Sequence, residues 1–320
     1  MTTPFFSVVI PTYNHARFLR GALNSVLAQT DRDFEVLVVN NFSTDDTVEV
    51  IERFGDPRIR RIDFANHGVI GAARNVGIRE SRGTFVAFLD SDDLWYPEKL
   101  ARVRAVLVAP AEIDVVCHEQ VYRKDGQIWR RSRYRPPRSQ WNDLYDYLLF
   151  VRNCLSPSAT TVRRSKLLEV GLFAEDRELI TVEDYDLWLR LARDCRFWFL
   201  PHILGEHLIH GENASHRATF HAEGALRVLK RHFADHPSMS TWGIRRRARW
   251  REASVFYGTG RLLERQGDLR GAFAQYRRAL RMAPHFLKTY PALGLYVLRA
   301  ARAATTAVGS WARGGTEGRR

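Results

Sequence analysis

Cysteine is scarce in this chain, and long apolar runs are lacking. The three cysteines, Cys117, Cys154 and Cys195, are odd in number and do not have the spacing of a zinc site or a disulfide framework. The longest apolar segment, near Leu293–Val308, is broken by two arginines and is a poor membrane span. The chain also enters strand-like sequence at Phe6 without a charged leader and an apolar stretch. These absences predict a cytoplasmic protein with reduced thiols.

Acidic residues are sparse in the last third of the chain. Residues 217–320 hold 21 Lys and Arg against 6 Asp and Glu, whereas residues 1–216 hold 28 against 30. The formal net charge of +13 therefore belongs to the C-terminal part. This part lacks the aromatic platforms that alternate with basic residues in nucleic-acid modules, so we expect no nucleic-acid partner.

Strand-like and helix-like patterns alternate in the N-terminal part. Strands are predicted at Phe6–Ile10, Phe34–Val39, Arg58–Phe64 and Thr84–Leu89, with amphipathic helical spacing between them. This order is typical of βαβ units and predicts an α/β fold with a mostly parallel sheet.

Weaker patterns follow in the middle of the chain. An Asp-Gly turn within Lys124–Gly126 predicts a β-hairpin. A short strand is predicted at Phe197–Leu200, followed by a polar, histidine-rich segment at Glu206–His216.

Three regions are predicted along the chain. Residues 1–216 form the α/β domain, residues 217–308 a basic helical extension, and residues 309–320 a disordered tail. Within the extension, the pattern of glycines, alanines and aromatics over Tyr257–Pro284 resembles one tetratricopeptide-like helix pair.

Polar segments follow each of the four predicted strands. They are Pro11–Asn14, Asn40–Thr44, Asn66–Arg74 and Asp90–Asp93. Since the carboxyl ends of parallel strands share one edge of a sheet, these segments can line one nucleotide-sized cleft. Tyr13 would stack on a base there, or cover the following helix.

The fourth segment carries three carboxylates within four positions. Asp90, Asp92 and Asp93 repel one another unless a cation binds, and hard oxygen ligands suit Mg²⁺ or Mn²⁺. The alternative is a solvated acidic turn before a helix that begins at Pro97. Arg74 is either a positive fork for phosphate or carboxylate, or an ordinary arginine on a helix surface.

Taken together, the motifs resemble those of family 2 glycosyltransferases with the GT-A fold. The matching segments are Ser7–Asn14, Ser43–Asp45, Ala73–Asn75, Leu89–Trp95 and Glu183–Trp188. The resemblance covers about residues 5–216. It implies transfer of a sugar, with inversion, from a nucleotide-sugar to a hydroxyl of a glycan or lipid-linked acceptor, as in cell-envelope polysaccharide biosynthesis.

The same resemblance implies roles for individual residues. It assigns nucleotide binding to Pro11, Tyr13, Asn41, Arg74, Asp90 and Ser91. It assigns the Mn²⁺ or Mg²⁺ ion to Asp92 and His210, and the general base to Asp184. The alternatives are a helix-start role for Asp184 and a structural or surface role for His210.

One segment departs from the family pattern. Asn40-Asn41 stands where an acidic pair or Asp-Asn is usual, and Phe42 where glycine is usual. Asparagine can still accept the imide hydrogen of uracil through its amide oxygen, though without charge. The inference of a UDP donor is therefore loosened: a UDP-sugar is favoured, and dTDP and GDP stay open. The departure also motivates a second hypothesis, a catalytically silent binding or scaffold protein.

Ser43 or Thr44 is expected to cap the next helix.

The basic extension prompts a prediction about location. Its densest cluster is Arg245–Arg247 with Arg249 and Arg251. Such a cluster predicts peripheral contact with the anionic inner face of the plasma membrane, where lipid-linked acceptors lie. A helical domain with a solvated, charged exterior is the alternative.

Overall fold

Two compact units make up the chain. The structure, a computed structural model, describes residues 3–109, 112–141, 143–211 and 218–296. Its contacts separate residues 1–216 from residues 217–320. The first unit is α/β and the second is helical. The predicted tail, residues 309–320, lies outside the described residues.

In the described part of the first unit, nine strands form one sheet. They are β1 (Phe6–Thr12), β2 (Phe34–Asn40), β3 (Ile59–Asp63), β4 (Phe85–Phe88), β5 (Leu94–Trp95), β6 (Val115–Lys124), β7 (Gln127–Ser132), β8 (Thr160–Arg163) and β9 (Phe197–Ile209). Their order is β3-β2-β1-β4-β8-β6-β9-β5, with β7 paired to β6. The strands β1 to β4 pair in parallel, as predicted, and the remaining pairs are parallel or antiparallel.

Helices cover the parallel half on both faces. The helices of this unit are α1 (Ala16–Leu27), α2 (Thr47–Glu52), α3 (Ile70–Glu80), α4 (Lys99–Leu107), α5 (Leu144–Phe150), α6 (Arg164–Glu169) and α7 (Glu183–Asp194). Val8 and Ile10 of β1 share a core with the buried face of α1, whereas Val9 points the other way and meets α3 at Gly77. Burial on both faces explains why three apolar residues, Val8, Val9 and Ile10, follow one another in β1 instead of alternating with polar residues.

The last strand corrects one prediction. The polar stretch that begins at Glu206 was expected to follow a short strand, but β9 continues through it to Ile209. This extension has partners, because β5 pairs Leu94 with Glu206 and the end of β6 runs parallel to β9. Backbone pairing therefore overrides the loop-like composition, and Arg123 neutralises Glu206 at 2.7 Å.

The second unit contains the predicted helix pair. Its helices are α8 (Ala218–Ala234), α9 (Trp242–Arg265) and α10 (Leu269–Met282), and residues 289–296 are also helical. In α9, Gly260 lets the buried ring of Tyr276 approach, since a Cβ at Gly260 would lie 2.5 Å from Tyr276 Cε1. Within the described ranges, no helix has the length and apolarity needed to cross a membrane.

Two glycines of α9 form a matched test of this packing. Gly260→Ala should destabilise the chain by about 1–3 kcal/mol, because the added methyl collides with Tyr276. Gly258→Ala should be neutral or stabilise by up to about 1 kcal/mol, since nothing lies within 4 Å of its Cβ position. Urea unfolding of the full chain, followed by far-UV circular dichroism, measures both. Equal effects of the two substitutions would contradict the close approach.

Candidate active site

The carboxyl ends of β1, β2 and β4 carry most of the predicted site residues. Pro11 is buried within β1, and Tyr13, just beyond it, is 53% exposed. Asn41 follows β2, and Asp90 to Asp92 follow β4. Because these parallel strands are adjacent, the sheet brings the three loops together at one edge.

The loop after β2 is fastened to the loop after β1. The backbone N–H of Asn41 donates to the carbonyl of Thr12 at 3.0 Å, and the N–H of Asn14 donates to Ser43 Oγ at 2.9 Å. Asp45 accepts the first N–H of α1, from Ala16, at 3.1 Å. The two loops therefore form one polar surface at the end of the sheet.

The predicted cap of α2 is wrong. The N-cap residue is Asp46 and makes no side-chain capping bond. Ser43 lies too far before the helix and bonds the neighbouring loop instead, with Thr44 donating its N–H to Asn14 Oδ1 at 2.8 Å.

The two asparagines are already engaged within the protein. Asn40 is 1% exposed; its amide N–H donates to Asp63 at 2.7 Å, and its oxygen accepts from the N–H and O–H of Ser43 at 3.1 and 2.6 Å. Asn41 Oδ1 accepts the N–H of Asn66 at 3.0 Å. Both residues thus hold three loops in place.

Arg74, in α3, connects two distant acidic segments. Its Nη2 donates to Asp90 Oδ1 and its Nη1 to Glu183 Oε1, both at 2.6 Å. The guanidinium is only 3% exposed, and although burial opposes its charge, Asp90 and Glu183 raise the pKa of Arg74 further above its usual range. Arg74 therefore ties the end of β4 to the start of α7.

Asp184 lies beside this ion pair, in the first turn of α7. Burial and the neighbouring charge of Glu183 raise the pKa of the Asp184 carboxyl to about 7, against the opposing effect of Arg74. The N–H of Tyr185 donates to Asp184 Oδ1 at 2.7 Å. A carboxylate with such a pKa can take up a proton near neutral pH, as a general base must.

Asp186, two residues further along the same first turn, has contacts of its own. Asp186 is buried and accepts from Arg190 Nε at 2.8 Å. Arg190 also donates to the carbonyls of Val170 and Leu172. This pair anchors α7 and leaves the carboxylate of Asp184 outside that network.

Asp92 and His210 meet although they are far apart in sequence. Asp92 Oδ2 lies 2.9 Å from His210 Nε2, and the ring of His210 stacks on Phe18 with 4.3 Å between centroids. Nearby, His15 Nδ1 is 2.8 Å from Ser91 Oγ. The structure thus brings both predicted metal ligands to one point.

This donor set fits a divalent ion that is shared with a substrate. In the described part of the chain, no group of three or more His, Cys, Asp or Glu forms a complete metal cage. One carboxylate and one imidazole are instead a partial set, and Mg²⁺ in phosphate-binding sites commonly takes one or two carboxylates and completes its shell with phosphate and water. Asp92 and His210 would supply the protein part.

Sequence reasoning missed one further pair, Asp93 and His207. Asp93 is fully buried and lies 3.1 Å from His207 Nδ1. Burial disfavours the charged imidazole, but Asp93 outweighs it and raises the pKa of His207 to about 10. The pairing of β5 with β9 brings these residues together, and because β5 has only two residues, no sequence pattern indicated it.

Removing the central guanidinium should destabilise the first unit. Arg74→Met leaves Asp90 and Glu183 without a counter-charge, and we expect a loss of about 3–5 kcal/mol. The double variant Arg74→Met/Glu183→Gln should recover part of this loss. Urea unfolding of the full chain measures both.

An exposed ion pair provides the control for this experiment. Arg60 pairs with Glu80 at 2.9 Å, and both side chains are about half exposed. Arg60→Met should cost less than about 1 kcal/mol. A similar cost for Arg74→Met would contradict the central position of Arg74.

Comparisons with known proteins agree with this geometry. The family described as glycosyl transferase family 2 matches residues 7–171. An uncharacterized glycosyltransferase of Rickettsia felis is 32% identical over 228 residues, which cover 69% of this chain and 36% of that protein. Another, from Rickettsia prowazekii, is 30% identical, and the match covers 68% of this chain and 67% of that protein. The chain thus spans about a third of the first relative and two thirds of the second.

Solved structures show the same fold. The fragment TarS 1-349 from S. aureus, in complex with UDP-GlcNAc, has a TM-score of 0.57 at 20% identity. The match covers 85% of this chain and 91% of that fragment. The mannosyltransferase PcManGT from Pyrobaculum calidifontis, in complex with GDP-Man and Mn²⁺, has a TM-score of 0.59 at 20% identity. The match covers 97% of this chain and 84% of the PcManGT chain. With the fold, the motifs and the family match in agreement, the chain has the GT-A fold and belongs to glycosyl transferase family 2.

Proposed function

We propose that this protein is a metal-dependent, inverting glycosyltransferase that moves a sugar from a nucleotide-sugar to an acceptor hydroxyl. The observation that carries the proposal is the connection from Asp90 through Arg74 to Glu183. Asp184 follows Glu183 at one end of this connection. Asp92, which pairs with His210, lies two residues after Asp90 at the other end. A site for the departing diphosphate and a base for the acceptor would thus lie close together.

The donor nucleotide would bind at the edge formed by β1, β2 and β4. Pro11 and Tyr13 would flank the base, Asn41 would border it, and Asp90 and Ser91 would face the ribose. A UDP-sugar is the favoured donor and a dTDP-sugar the alternative. The solved complexes of TarS with UDP-GlcNAc and of PcManGT with GDP-Man support a nucleotide-sugar as the donor.

Asp92 and His210 would hold Mn²⁺ or Mg²⁺ together with the diphosphate. When bound, the ion supplies Lewis-acid stabilisation of the negative charge on the leaving group. Phe18, stacked on His210, and Ser91, bonded to His15, would keep these ligands in place.

Asp184 would remove the proton from the acceptor hydroxyl. Its raised pKa, about 7, makes it a stronger base than an ordinary aspartate while leaving much of it ionised at neutral pH. Arg74, through Glu183, would keep α7 in position and limit the rise of that pKa.

The acceptor would approach along the hairpin of β6 and β7. Residues 121–140 hold seven Lys and Arg against one Asp, within a unit that is otherwise acidic. Arg130 lies 4.4 Å over the ring of Tyr122, which is 4.8 Å from the ring of His207. Since His207 pairs with Asp93, this basic strip reaches the metal side of the site. It suits a glycan or lipid-linked acceptor that carries phosphate.

Release of nucleoside diphosphate from candidate donors with Mn²⁺ tests the proposal. Asp184→Asn should lower kcat by about 10²–10⁴-fold while UDP still binds, because only the base is lost. In the parent enzyme, kcat/KM should rise about tenfold per pH unit below pH 7 and level off above it, as Asp184 loses its proton. Asp92→Ala should lose activity and Mn²⁺-dependent nucleotide binding together.

Asp194→Asn is the matched control, since Asp194 lies exposed at the other end of α7 and should leave activity unchanged. Turnover that survives both Asp184→Asn and Asp92→Ala would refute the assigned roles. Tight UDP binding without turnover by any donor would favour the silent binding or scaffold protein instead.

We further propose a cytoplasmic location with peripheral contact at the inner face of the plasma membrane. In the first turns of α9, Trp242 is 70% exposed, and the side chain of Arg246 lies 5.3 Å over its ring. Arg245 and Arg249 are exposed at helical spacing on the same side. Tryptophan and arginine on one helix face suit the anionic headgroup region of a bilayer.

Charge reversal distinguishes binding through this face of α9 from binding through the overall positive charge of the second unit. Arg245→Glu/Arg246→Glu/Arg249→Glu should weaken binding to vesicles of 30% phosphatidylglycerol in phosphatidylcholine by at least about tenfold. The same reversal in α10, at Arg270, Arg278 and Arg281, should have a smaller effect. Co-sedimentation measures both. Equal loss in the two triple variants, or equal binding to pure phosphatidylcholine, would contradict the role of α9.

A further inference from the structure

Phe42 has a conformation that folding alone does not explain. Its φ is +52°, in the left-handed region that costs residues with a Cβ about 1 kcal/mol and mainly suits glycine, asparagine and aspartate. Its side chain is 59% exposed, so burial of the ring does not offset this cost. Backbone strain of this kind is found where binding sites need a particular geometry.

The backbone on both sides of Phe42 is fixed. Asn41 donates its N–H to Thr12, and Ser43 donates its N–H to Asn40 Oδ1 at 3.1 Å. Ser43 Oγ in turn accepts from the N–H of Asn14. The ring of Phe42 is therefore presented from a rigid turn rather than from a loose loop.

A second exposed aromatic stands on the loop that this turn is fastened to. Tyr13 lies between Thr12 and Asn14, the two residues bonded to the turn of Phe42. Both rings are more than half exposed at the edge where the donor nucleotide is proposed to bind. Exposed aromatics on rigid loops are the usual means of binding a nucleobase by its face.

The amide oxygens of both asparagines before Phe42 are already engaged within the protein. The buried Asn40 has its donor and its acceptor filled by Asp63 and Ser43, and Asn41 Oδ1 accepts from Asn66. Neither residue offers the charged acceptor that would select an imide N–H. These two side chains therefore offer little means of selecting a base by its edge.

We propose that Phe42 is a base-stacking residue which, with Tyr13, binds the nucleobase of the donor through its ring face. This inference rests on the proposed function and adds how the base of the donor is held. Stacking is largely independent of the groups on the base edge. UDP, dTDP and CDP should therefore bind with affinities within about fivefold of one another.

Phe42→Gly provides the test in the full-length protein. Glycine adopts the left-handed conformation without strain, so this variant should fold and melt at the same or a higher temperature. With Mn²⁺, its Kd for UDP should rise by about tenfold, within the range expected for loss of one stacking contact. Its Kd for inorganic pyrophosphate, which has no base, should not change. Calorimetric titration measures both.

Two substitutions at the same position separate stacking from bulk. Phe42→Trp retains an aromatic face and should bind UDP about as tightly as the parent. Phe42→Leu retains an apolar side chain and the backbone strain but no ring, and should resemble Phe42→Gly. Leucine that binds as well as phenylalanine would overturn the stacking role.

The remaining outcomes distinguish this inference from the proposed function. If the parent protein binds neither UDP nor any other nucleoside diphosphate with Mn²⁺, the proposed function fails. If it binds UDP and Phe42→Gly binds equally well, only the role of Phe42 fails. Equal weakening of UDP and pyrophosphate would show an effect through the loop, and a hundredfold preference for UDP over CDP would show edge recognition; either result overturns the inference.

Discussion

One buried guanidinium determines how the two halves of the site are joined. Arg74 is almost completely inaccessible and bonds Asp90 and Glu183 at 2.6 Å each. A charge in that position is costly unless both carboxylates stay close to it. The end of β4 and the start of α7 must therefore keep a fixed separation, and the groups next to them, Asp92 and Asp184, inherit that arrangement.

Arg74 also determines the electrostatics around Asp184. Positive charge on Arg74 compensates the carboxylates that surround it, and without it the pKa of Asp184 would lie higher still. Glu183 Oε2 and Arg74 Nε are buried and, among the described residues, make no hydrogen bond. Arg74 is thus bonded through Nη1 and Nη2, while its Nε and one oxygen of Glu183 have no such bond within the described ranges. Unsatisfied buried polar atoms suit a position at the wall of a substrate site.

The parallel half of the sheet was predictable because its pattern is local. Runs such as Phe34–Val39 are apolar and short, and polar turns mark their ends. The motifs at Asp90–Asp93 and Asp184 were equally visible. The use of Arg74 was not, since its partner Glu183 is 109 residues away and sequence spacing gave no sign of the contact. The length of β9 was also missed, because pairing with a two-residue strand leaves no periodic signal.

The wide spacing of the bonded pairs has a consequence for biosynthesis. Asp92 and His210 are 118 positions apart, and Arg74 and Glu183 are 109 apart. A ribosome adding about 5–20 residues per second releases the four parallel strands roughly 5–20 s before these partners emerge. During that interval Asp92 lacks its histidine and Arg74 lacks its second carboxylate, so the candidate site closes late in the synthesis of the first unit.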